Sequence, residues 1–131
     1  MFINFSNHPS KAWDEEQRKA AEVFGPIVDV PFPAVDPSLD EKAILNLAKD
    51  SIKRINEHTT GNDVVMVQGE FTLTYAVIKL LKKTKIIKLL KKTKIKVVSA
   101  CSERKVQELV DSDGNTTRQS VFTFVRFREY M

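Results

Sequence analysis

The 131-residue sequence predicts a three-layer α/β sandwich with about four mostly parallel strands, helices on both faces and a C-terminal antiparallel hairpin. Three observations predict it. Short apolar runs at residues 1–5, 27–30, 64–67 and 95–100 alternate with stretches of helical periodicity, the order of a parallel sheet joined by right-handed crossovers. The third run, VVMV, is apolar without alternation, as in a strand covered on both faces. The last third is patterned differently. Residues 106–110 and 121–127 read as strands and flank Asp113-Gly114, a turn signal, so a hairpin is added to the sheet.

Each element follows from local chemistry. MFINF is a short buried strand that ends in the turn residues Ser6-Asn7-His8-Pro9-Ser10. Residues 14–24 are helical, with Trp13, Ala20 and Phe24 on one face, acids in the first turn and Gly25-Pro26 as the stop. After the second strand, Pro31, Pro33 and Pro37 break the chain into an extended loop, because proline resists helix interiors and sheet ladders. Ser38 and Glu41 have the spacing of a capping box. The helix behind it places Ile44, Leu47, Ala48, Ser51, Ile52 and Ile55 on one stripe. Thr60-Gly61-Asn62 releases the chain into the third strand, and Phe71 opens another helix.

Residues 78–86, IKLLKKTKI, recur at once as residues 87–95. Removing one copy lowers the lysine and arginine count from 21 to 17, equal to the 17 acidic residues, so the net charge of +4 belongs to the duplication. That disfavours bulk nucleic acid as a partner, since a duplex-binding module carries its positive charge in its working surface. A cationic amphipathic helix is disfavoured too. Nine residues at 100° each turn the second copy's apolar side about 180° from the first, so the stripes oppose each other. The repeat reads as a tandem insertion, one copy completing the helix from Phe71 and the other forming extra helix, loop or lead-in to the fourth strand. Composition fits a single globular domain of 42% hydrophobic and 29% charged residues. No apolar run approaches the roughly 18 residues of a membrane span, and the opening lacks signal-peptide features, so a cytoplasmic protein with no membrane partner is expected. One cysteine, Cys101, excludes an internal disulfide, and no Cys and His spacing suits zinc.

In open parallel sheets, ligands bind beyond the carboxyl ends of the strands, where strand order reverses. Ser6, Asn7 and His8 after strand one, Gln68, Gly69, Glu70, Thr72 and Thr74 after strand three, and Cys101, Ser102 and Arg104 after strand four are therefore expected to share one rim. Gly69 allows close backbone approach, and the helix behind it offers unpaired amides. Glu70 competes with a phosphate there, which favours Arg104 as the anion contact. His8 is either a proton-transfer group or a turn residue bonded to its own backbone. Glu70, Thr72 and Ser102 each have a capping alternative, and Cys101 reads as a small core residue before a nucleophile. Motifs for common nucleotidases, dehydrogenases, serine hydrolases and zinc proteases are absent from the sequence.

Through INFSNHPS at 3–10, Gln17 and MVQGEFTLTYAVIKLL at 66–81, the chain resembles small single-domain CRISPR-associated proteins of Rossmann-like fold, several of which open with a comparable strand and loop. The likeness covers about two-thirds of the chain; the QGEF loop, the VRFREY ending and the duplication depart from it. The resemblance implies binding, and as a further step cleavage, of a cyclic oligoadenylate second messenger, as in ring nucleases, with no metal or other cofactor. A ribose 2′-hydroxyl would attack the neighbouring phosphate, with His8 as acid or base, Arg104 on the phosphate, and Ser6, Asn7, Gln68 and Thr72 positioning the ring. Gly69, Glu70 and Ser102 complete the expected binding surface, and a two-fold ligand suits a homodimer. The alternative is a non-catalytic nucleotide sensor or protein-interaction module that uses the same rim.

Overall fold

The computed structural model, which describes residues 1–90 and 94–131, builds a five-stranded sheet in the order β2-β1-β3-β4-β5. The strands are β1 (Phe2–Ser6), β2 (Ile27–Pro31), β3 (Asn62–Gln68), β4 (Lys94–Val110) and β5 (Thr116–Glu129). β1 runs parallel to both β2 and β3, β3 runs parallel to β4, and β5 returns antiparallel along β4. Three helices cover the sheet: α1 (Glu15–Glu22), α2 (Glu41–Asn56) and α3 (Phe71–Leu90). The expected mixed α/β sandwich, mostly parallel with an antiparallel C-terminal pair, is what forms.

The side chains of β1 and β3 alternate between two cores. Ile3, Phe5, Val65 and Val67 face α2 and α3, meeting Ile44, Ala48 and Ile55 from one helix and Leu73, Val77 and Leu81 from the other. Phe2, Val64 and Met66 face the other way, against Trp13 and Ala21 from the α1 side and Phe127 from β5. Both faces of β3 are therefore buried, the physical reason that VVMV shows no alternation. At the amino end of β3, the buried Asp63 carboxylate accepts from the amides of Thr60 and Gly61 and lies 3.7 Å from the N-terminal ammonium.

Three expectations change in detail, whereas the repeat divides between helix and strand lead-in as expected. α2 is capped by Asp40, whose Oδ1 accepts from the Ala43 amide at 2.9 Å, while Ser38 is held by Asp36. In α1 the buried residue is Ala21 rather than Ala20, and Phe24 lies beyond the helix and half exposed. The expected separate strands at 95–100 and 106–110 are one 17-residue strand, β4. Its register with β3 covers residues 94–98, and from there it runs outward with β5 as a two-stranded arm, bulged opposite Cys101 and Ser102. The first nine-residue copy lies wholly within α3, which continues into the second to Leu90; β4 begins at Lys94 inside that second copy. The remainder of the repeat, residues 91–93, lies outside the described residues.

Candidate functional site

Strand order reverses at β1. The chain leaves β1 for β2 on one side and later returns to β3 on the other, so the β1 loop leads to α1 on one face and the β3 loop leads to α3 on the opposite face. Ser6 and Gln68 are register partners, which ends the two strands level and sets their loops side by side, where open parallel sheets commonly bind ligands.

The β1 loop is fixed from below. Asn4, 1% exposed, donates through Nδ2 to Asp29 Oδ1 and to the His8 carbonyl, both at 2.9 Å. Its Oδ1 accepts from Ser6 Oγ at 2.6 Å, and Ser6 Oγ in turn accepts from the His8 amide at 3.1 Å. Trp13 Nε1 donates to the same His8 carbonyl at 3.2 Å, and Asp29 holds the Ser10 amide and hydroxyl. Buried polar groups satisfied this completely make a rigid support. The backbone of His8 is held while the side chains of Asn7 and His8 are exposed to solvent. Beside the loop, Asn4, Ser6, Asn7, Asp29 and Phe32 line a cleft of about 300 Å³, at the lower end of the range for small-molecule sites.

The β3 loop is built differently from its expected use. A Cβ on Gly69 would lie 2.7 Å from the Phe32 ring, so the glycine is required by that ring, which also packs on Phe5 with centroids 4.9 Å apart. Glu70 caps α3: its carboxylate accepts from the Thr72 amide at 3.0 Å, the Leu73 amide at 2.8 Å and the Thr72 hydroxyl at 2.8 Å. The Leu73 amide, foremost, with further help from Thr72, holds the Glu70 carboxyl below its ordinary pKa, against a smaller upward push from desolvation. The capping alternative thus describes Glu70, whereas Thr72 lies inside α3 and donates to that cap, and the Thr72 and Leu73 amides are occupied. Gln68 Oε1 accepts from the Ala100 amide at 3.0 Å, which ties β3 to β4 just beyond their ladder. Thr74 is buried.

Cys101, Ser102 and Arg104 do not sit on a loop. They are strand residues of β4, carried outward along the arm. Arg104 donates through Nε and Nη2 to Ser120 Oγ at 3.1 and 2.9 Å, within the arm itself. The rim therefore joins Ser6, Asn7 and His8 with Gln68, Gly69 and Glu70, and leaves Arg104 on the arm. Ser6 serves that rim from within, as a buried member of the loop support. Asn4, Asp29 and Phe32 were not singled out from the sequence. The signal for Asp29 was a carboxylate in the centre of the strand IVDVP, where it is exposed yet accepts from Asn4 and Ser10.

Among the described residues, no group of three or more His, Cys, Asp or Glu is placed to hold a metal ion, and no helix is long and apolar enough to cross a membrane.

The fold is that of a small mixed α/β protein, with the β1 and β3 loops meeting at the strand-order reversal. The chain belongs to the family described as the uncharacterized protein MJ1673 family, whose profile matches residues 1–128. Neither the search of curated proteins nor that of solved structures found a match.

Proposed function

We propose that this protein binds a cyclic oligoadenylate at the β1/β3 rim and cleaves it without a metal ion. The observation that carries the reading is the His8 loop: its backbone is locked by Asn4, Ser6 and Trp13 while its imidazole faces solvent at the strand-order reversal. A positioned imidazole, able to give or take a proton, suits proton transfer. In the reaction, a ribose 2′-hydroxyl attacks the adjacent phosphorus and the bond to the 5′-oxygen breaks. His8 takes the 2′-hydroxyl proton, water protonates the departing 5′-oxygen, and the products are a 2′,3′-cyclic phosphate and a 5′-hydroxyl. Asn7 and the Gln68 amide orient the ring. A cleft of about 300 Å³ adjoins the rim on the β2 side of Asn7, at the lower end of the range for small-molecule sites.

A second reading, binding without cleavage, draws support from Arg104, whose guanidinium is engaged on the arm with Ser120. That leaves the phosphate without the arginine contact expected to stabilise developing charge. Incubation with cyclic tetra- and hexa-adenylate in excess chelator separates the two. Linear products that His8→Ala abolishes support cleavage; tight binding with intact ligand supports the sensor; absence of binding to either ring refutes both.

A further inference from the structure

α3 carries two apolar stripes. Leu73, Val77 and Leu81 are fully buried against the sheet and α2. On the outer side, Phe71 and Tyr75 follow the i, i+4 spacing and are 89% and 68% exposed, and Ile78, one turn on, is partly buried at the edge of the core. A helix with apolar residues on more than one face is normally covered on each of them. Clefts of about 640 and 570 Å³ border this stripe, one against the start of α2 and the other beneath Tyr130. Thr74, which lines the second cleft, has a buried hydroxyl with no hydrogen-bond partner.

The charge around the stripe is divided by position. Asp40 and Glu41 begin α2, and Glu70 precedes α3, at one end; Lys79, Lys82 and Lys83 stand toward the other. Glu70 and Lys83 are separated by about 20 Å along the helix axis. A two-fold axis across α3 between Tyr75 and Ile78 places the acidic end of each copy on the lysines of the other, with the aromatic stripe in the centre. A two-fold axis along α3 would instead set each lysine group against its own copy. We infer that the outer face of α3 binds a second copy of this chain, with the two α3 helices antiparallel. Because α3 starts at the rim, the pairing leaves the two rims at opposite ends, each complete in itself. It stands independently of nucleotide binding.

Sedimentation velocity of the full chain from about 1 to about 200 µM, the affinity range of modest interfaces, tests the pairing. The expected result is a species of twice the 14.9 kDa chain that dissociates as salt rises. Tyr75→Glu replaces an exposed side chain, so the variant is expected to keep its circular dichroism and to weaken association at least tenfold. Lys79→Glu with Lys82→Glu should do the same by reversing the charge match. A wild-type chain that stays monomeric assigns this face to a different partner and overturns the inference. A dimer indifferent to Tyr75→Glu, or one strengthened by salt, overturns it as well.

Discussion

Replacing Asn4 by alanine should release the loop that carries His8. The side chain makes three hydrogen bonds: to Asp29 Oδ1, to the His8 carbonyl and from Ser6 Oγ. At about 1 kcal/mol net for each, the loss is about 3 kcal/mol. Two features bound that value. Asp29 keeps its bonds to Ser10, and the His8 carbonyl keeps Trp13, so neither is stranded completely. With a urea slope of about 2 kcal/mol per molar, typical of small proteins, the midpoint should fall by about 1.5 M. Asn4→Asp sharpens the test: it removes both donors and sets a second carboxylate within hydrogen-bond distance of Asp29. Its destabilisation should exceed that of alanine at neutral pH and shrink on acidification, because repulsion between the two carboxylates favours uptake of one proton by the pair. The measurement is urea unfolding at pH 7 and pH 4, with the His8 ring resonances as a local probe. A loss below about 1 kcal/mol for Asn4→Ala, with an unchanged His8 environment, would refute the idea that this network holds the loop.

Three further outcomes follow from the structure. Deleting residues 87–95 joins Ile86 to Lys96 and restores the same local sequence ahead of β4, so the shortened chain should fold with a near-native spectrum; a chain that cannot fold would show that the second copy is structurally required. Glu70→Gln should cost roughly 0.5–1 kcal/mol of stability near neutral pH, within the range for helix caps. Because folding lowers the Glu70 pKa, the cap's ionic contribution is complete above the unfolded value near 4.3 and disappears as pH falls through the lower folded value, so parallel acid titrations of wild type and variant should converge at low pH. Backbone amides in the outer arm, residues 103–109 and 117–122, should exchange with solvent far faster than those of β3, since most arm side chains are exposed and β3 is buried between neighbours; equal protection would contradict the free arm.

Sequence and structure agree where burial imposes a pattern. The stripe of α2 and the unbroken VVMV of β3 were legible because each exists to fill a core. The length of β4 was not. CSERKVQ lies in an arm with little burial on either face, so it carries no strand alternation and resembles a loop. The misplacement of Arg104 follows directly, since a strand ending at Ala100 would deliver the next residues to the rim. Ser38 and Asp40 are both suitable caps, and only Asp36, two residues before Ser38, decides between them by claiming the serine. Gly69 was legible as a close approach, but the neighbour that approaches it was not: it is Phe32, distant in sequence and delivered by the proline-rich loop. The β1 loop was placed correctly beyond strand one. Its support was hidden because Asn4 and Asp29 lie 25 residues apart and meet only when β1 and β2 pair.

The central claim is that the His8 loop and the neighbouring β3 loop form the binding site. Titrating isotope-labelled protein with cyclic tetra-adenylate while recording amide spectra tests it most directly. The expected result is saturable shifts at Asn7, His8, Gly69 and Glu70, with the residues of the arm tip unmoved. Saturable shifts confined to the outer face of α3 or to the arm, with Asn7 and His8 unchanged, would contradict it.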